Sequence, residues 1–142
     1  MLSRKKELNT ISTSLKTPYD QSASGIDPEY ALIQVKAFAK ACFEKASGSH
    51  DWEHTLRVFR LCEMIGTVEN VDMDILRVAA YLHDIGRDFQ DASNGAVCHA
   101  EKGAQMAGPT VAKLPFTKKQ RENIIHCIRS HRFRNPHKPG TP

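Results

Sequence analysis

Apolar residues along this chain recur at three- and four-residue steps and almost nowhere alternate, which is the period of a helix face and not of a strand. Asp27-Pro28 reads as a cap followed by a first-turn proline. After it Leu32, Val35, Ala39, Cys42 and Phe43 mark one face of a helix that stops near Gly48. A second helix is expected over about 51–66, with Trp52, Leu56, Phe59 and Cys62 on one apolar stripe. His54, Val58, Leu61 and Ile65 form a neighbouring stripe, so much of this helix is expected to be buried. The third opens at Asp72 and carries Ile75, Leu76, Ala79, Ala80 and Leu82 into His83-Asp84, ending at Gly86. Residues 87–95 read as a polar connection with a turn at Asn94-Gly95. A fourth helix starts near Val97 and is interrupted or kinked at Gly108-Pro109. Thr117 and Gln120 have the spacing of a capping box for a fifth helix that reaches about His131. The expected fold class is all-α, a bundle of about five helices. Residues 1–26 are expected to be a flexible arm, 27–135 the helical domain and 136–142 an irregular tail.

Helical phase then sorts the seven histidines. His54 falls with Val58, Leu61 and Ile65, and is expected on a buried face. His83 lies one turn from Ala79 and Ala80, with Asp84 about 100° further round. His99 opens the fourth helix beside Ala100, Gly103 and Ala104, small residues that allow another element close. His131 is in phase with Ile124 and Ile128, whereas His126 points nearly opposite Ile128, and His137 lies in the tail. A single inward histidine is more often a core residue with its polar atoms satisfied than a ligand. Four of them with Asp84, drawn from four helices, form a group that is costly to bury unless something satisfies it. Imidazole and carboxylate donors without thiolates suit Mn, Fe, Ni, Co, Zn and, less well, Mg, and not a cysteine-rich structural zinc site.

Composition changes this picture little. Charged residues make up 25% of the chain, and there is neither an apolar run long enough to span a bilayer nor an apolar core after the N-terminal charges. Cys42, Cys62, Cys98 and Cys127 form no close pair and read as reduced thiols in a cytoplasmic protein. The net charge is +4, yet from Lys113 to Lys138 eight Lys or Arg residues face the single acid Glu122. That field suits phosphate groups. Binding of nucleic acid is disfavoured, because the stretch has little aromatic interleaving and no base-reading motif.

H-x-x-R-V at 54–58, preceded by His50-Asp51, and L-H-D-I-G at 82–86 resemble the HD-domain metal-dependent phosphohydrolases. H-x-x-x-G-A at 99–104 and S-H-R-F at 130–133 extend the likeness to the small stand-alone members that act on nucleotides or related phosphate compounds. The resemblance covers roughly residues 30 to 135. It implies hydrolysis of a phosphate ester or anhydride by a metal-activated water, with one or two divalent ions. His54, His83 and Asp84 would hold the first ion. Asp84, which thereby has a catalytic role, would bridge to a second ion bound by His99 and His131. Arg87, Lys102, Arg132 and Arg134 would grip phosphate oxygens, and His50 or Asp51 would relay a proton. The family pattern closes with a further Asp on a later helix, and no Asp follows Asp91 here. The chain is therefore expected to be truncated before that ligand or to have lost it. The alternative expectation is a catalytically impaired metal- or nucleotide-binding module. Missing C-terminal helices are also expected to leave an apolar surface that favours self-association.

Overall fold

A computed structural model of the chain describes residues 27–45, 52–132 and 137–141. They form six α-helices in the order α1 (Pro28–Lys45), α2 (Trp52–Glu69), α3 (Met73–Leu82), α4 (Arg87–Ala92), α5 (His99–Val111) and α6 (Lys118–Ser130), with no strand among the described residues. The five expected helices are all present. The sixth, α4, occupies part of the connection read from sequence as a polar turn region. It was invisible to hydrophobic periodicity because none of its residues is buried. Asn94 and Gly95 do turn the chain after it, both with positive φ.

α3 is the hub: α1, α2 and α6 all pack on it, while α5 packs on α6 and α4. This follows from its composition, since Ile75, Val78, Ala79, Ala80, Tyr81 and Leu82 are all buried. The core continues through Val35 and Ala39 of α1, Ala104, Ala107 and Val111 of α5, and Ile124 and Ile128 of α6. Trp52 and Phe59 of α2 stack on Tyr81, with ring centroids 5.9 and 4.2 Å away. Polar ties close the same joints. Asp72 caps α3 and accepts a bond from Gln120 Nε2 at 3.1 Å, while Gln120 itself completes the capping box at the start of α6. Arg129 of α6 pairs with Glu101 of α5 at 3.1 Å.

Several expected boundaries move. α2 runs past Gly66 to Glu69, and that glycine is a crossing point where a Cβ would overlap Leu76 and Met73 of α3. α5 is not interrupted at Gly108-Pro109 and continues through Pro109 to Val111. α3 ends at Leu82, so His83 is its C-cap and Asp84 lies in the turn beyond, not on the helix. The expected burial of α2 is also corrected. Its Trp52, Leu56 and Phe59 stripe packs on the core, but Leu61 is 55%, Met64 69%, Ile65 59% and Val68 82% exposed. Nothing among the described residues covers the stripe from Leu61 onward, whereas His54 and Val58 at its start are half-buried.

Candidate metal centre

His83-Asp84-Ile85-Gly86 forms a tight turn pressed against the start of α5. A Cβ at Gly86 would overlap the His99 carbonyl oxygen and the Gly103 backbone nitrogen, so only glycine lets the two segments approach. Its φ of −91° is open to any residue; the space, not the dihedral, demands glycine. Gly103 lies on the other side of this contact, where a Cβ would meet Gly86 N and His83 O only at ordinary van der Waals distance. This close approach puts His99, the first residue of α5, beside Asp84.

Asp84 is 2% exposed, and each of its oxygens faces two imidazoles. His54 Nε2 and His83 Nε2 are each 3.7 Å from Oδ2. His99 Nε2 and His131 Nε2 are 3.3 and 3.6 Å from Oδ1. The ligand atoms thus form two groups of three, His54/His83/Asp84 and Asp84/His99/His131, that share the carboxylate. Arg87 NH2 donates to both oxygens, at 3.1 and 3.4 Å.

The tautomers are legible from the partners of Nδ1. That nitrogen lies 2.7 Å from Ala80 O in His83, 2.7 Å from Ile128 O in His131, and 2.8 Å from Gln90 Oε1 in His99. Each partner can only accept, so Nδ1 carries the proton and the Nε2 lone pair points at Asp84. His99 Nε2 and His131 Nε2 are only 3.0 Å apart, a contact that requires a proton on one ring or a cation between them. Burial lowers the His83 pKa and, reinforced by Arg87, pushes His99 down to about 4, so both rings stay neutral. Burial drives the Asp84 carboxyl up, but His131, His83 and Arg87 outweigh it and hold it well below the usual carboxylate range. An ionised carboxylate ringed by inward lone pairs is a donor set that fits a divalent cation of borderline hardness.

The family model described as HD domain matches residues 51–141. The chain belongs to the HD domain family. Ribonuclease Y of Acetivibrio thermocellus is 27% identical over 130 residues, covering 90% of this chain and 22% of that protein. A ribonuclease Y of Dehalococcoides mccartyi is 26% identical over 100 residues, 70% of this chain and 18% of that one. The uncharacterized protein YpgQ of Bacillus subtilis is 35% identical over 52 residues, 37% of this chain and 25% of that one. The chain therefore spans about a fifth of the length of the ribonuclease Y relatives. No solved structure gives a significant match. HD domains belong to a superfamily of metal-dependent phosphohydrolases, and the two His/Asp groups of this one can hold a metal. No helix of the described residues is long and apolar enough to cross a membrane.

The expected site residues of this HD domain take different positions. His54, His83, Asp84, His99 and His131 come together around one carboxylate. His54 corrects one expectation: its side chain is 43% exposed, half-buried at the edge of the site and not on a buried face. The side chain of His131 is 23% exposed, at the rim of the site. Arg87 lies at the centre on Asp84, and Arg132 NH1 reaches Gln90 Oε1 at 3.4 Å and Cys98 Sγ at 3.9 Å. Lys102 Nζ rests over the Phe89 ring, 4.5 Å from its centroid. His50, Asp51 and Arg134 lie outside the described residues. His126 and His137 are engaged elsewhere, with Lys138 O and Glu101.

Two neighbours of the site were missed from sequence. Gln90 could have been found only by recognising α4, which puts Arg87 and Gln90 one turn apart on the same side. Cys98, half-buried at the N-cap of α5, is the second. Burial raises its thiol pKa, but the Glu101 and Ala100 backbone N–H groups and Arg132 outweigh that and bring it below the usual range.

Proposed function

We propose that this HD domain hydrolyses a phosphate ester or anhydride of a nucleotide or related small compound, using one or two divalent cations held by His54, His83, Asp84, His99 and His131. The observation that carries this reading is the division of Asp84, with two imidazoles at each oxygen. A cation bound there would lower the pKa of a water and neutralise charge on the phosphoryl oxygens. The donor chemistry suits Mn, Fe, Co, Ni or Zn, and Mg less well.

The chain's own groups divide the remaining work. Arg87 balances the Asp84 carboxylate, so its proposed grip on phosphate depends on Asp84 having another cation as partner. Arg132, beside His99 through Gln90, is well placed to meet a phosphate at the rim, with Arg134 and Lys102 as further candidates. Engaging a phosphate would take Lys102 off the Phe89 face. His50 or Asp51 is proposed for proton relay on sequence grounds alone. A cytoplasmic location accords with the four free cysteines.

Two observations favour second readings. Among the described residues Asp84 is the one carboxylate in either ligand group, which favours a metal- or nucleotide-binding module of low turnover. The likeness to ribonuclease Y over most of the chain favours a phosphodiester of RNA as substrate. The test is a panel of nucleoside mono- and triphosphates and short RNAs with added Mn, scored for phosphate, pyrophosphate or shortened RNA. Turnover of a nucleotide that Asp84→Asn abolishes supports the proposal. Tight binding without turnover supports the module, and cleavage of RNA alone moves the substrate class to polynucleotides.

A further inference from the structure

Three of the imidazoles around Asp84 are oriented by a partner at Nδ1, but not by the same kind of partner. His83 and His131 each stand at the C-terminal end of a helix, where the carbonyl three residues back is available, and they use it: Ala80 O and Ile128 O. His99 opens α5 and has no preceding turn behind it, so no such carbonyl exists. A side chain from α4 takes its place. Gln90 Oε1 lies 2.8 Å from His99 Nδ1, 3.4 Å from the His99 backbone nitrogen and 3.4 Å from Arg132 NH1. Two groups that can only donate, the His99 backbone N–H and the Arg132 guanidinium, converge on this amide atom and identify it as the oxygen, which in turn makes His99 Nδ1 the third donor.

We propose that Gln90 is a positioning residue for the metal centre: its amide oxygen fixes His99 in the Nδ1–H tautomer, aims the Nε2 lone pair at Asp84, and tethers Arg132 beside it. The inference rests on the metal-centre reading above. It adds that one of the imidazoles is held by a replaceable side chain rather than by backbone, so this ring is where substitution can detune the site without touching a ligand. Loss of outer partners of this kind typically weakens metal affinity by about 10- to 100-fold. The same oxygen also makes α4, a helix of six residues with none buried, part of the site, which gives that short element a reason to be ordered.

The experiment compares the full chain with Gln90→Leu, Gln90→Met and Gln90→Glu. Long-range proton–nitrogen spectra of the metal-free protein report which His99 ring nitrogen carries the proton. Mn and Zn titrations by calorimetry report affinity. Wild type and Gln90→Glu are expected to show Nδ1–H, since both offer an oxygen acceptor. Gln90→Leu and Gln90→Met are expected to populate Nε2–H and to bind metal about 10- to 100-fold more weakly. Having two apolar variants of different shape guards against one that fails to fold. If either folded variant keeps both the His99 tautomer and wild-type affinity, the proposal is overturned. If the wild type binds neither metal, the metal-centre reading falls, while the tautomer spectra still decide whether Gln90 orients the ring.

Discussion

His99 and His131 hold their Nε2 atoms 3.0 Å apart, although each ring has already given its Nδ1 proton to another acceptor. Two lone pairs at that distance repel unless a positive charge lies between them. Either a proton shared between the two rings or a cation held between them supplies that charge. A divalent cation there would satisfy both rings together with Asp84.

Loss of either ring of this pair should therefore weaken metal binding without unfolding the chain. His131→Ala, at the rim, is expected to cost at least about tenfold in Mn or Zn affinity by calorimetry. The circular dichroism spectrum should keep its helical form, since the His131 side chain is 23% exposed. Equal affinity in His131→Ala would remove this residue from the centre.

Gly86→Ala should be disproportionately damaging for a single methyl group. The added Cβ overlaps backbone atoms of His99 and Gly103, which cannot rotate away as a side-chain end could. A loss of about 1–3 kcal/mol in urea unfolding is expected, with metal affinity falling as the turn and α5 separate. A variant as stable as wild type would mean that the turn and α5 are not in close contact.

The metal-free protein should lose stability as pH falls below neutrality. His99 takes up a proton at about 4 in the folded chain, and His83 is lowered in the same direction. The unfolded chain binds those protons near the ordinary imidazole value, so between roughly pH 6.5 and 4 it holds more protons than the folded one, and stability drops with pH. Asp84, depressed in the fold, stabilises above the ordinary carboxylate range and loses that contribution as pH falls further. Denaturation midpoints measured from pH 8 to pH 4 check this; a midpoint that rises on acidification would contradict it.

The uncovered stripe of α2 gives a prediction of the opposite kind. Val68 is 82% exposed and Met64 69%, so Val68→Glu or Met64→Lys should change stability by under about 0.5 kcal/mol in the isolated chain. A much larger loss, or a change of sedimentation behaviour with it, would show that this stripe is covered in solution.

How much of this was legible beforehand follows from what helical phase can report. Phase is local: it put Ile124, Ile128 and His131 on one side, and Thr117 with Gln120 at a helix start, because both patterns depend only on spacing. It cannot say what packs against a face, which is why Leu61 and Ile65 were expected inside and are found outside. It also could not see α4, whose six residues include one large apolar side chain, Phe89, and that one is exposed. Gln90 was hidden for the same reason, since its role depends on a contact nine residues along the chain with His99 and not on its own helix. Gly86 was read as a helix stop and proved to be a contact between two backbones, a distinction that only the neighbouring α5 supplies.

The most direct test is an anomalous difference map from crystals of the full chain soaked with Mn or Zn. The account predicts a peak within bonding distance of Asp84, His99 and His131, or of Asp84, His54 and His83, or one at each. Saturating metal bound elsewhere, with no peak in reach of Asp84, would contradict it.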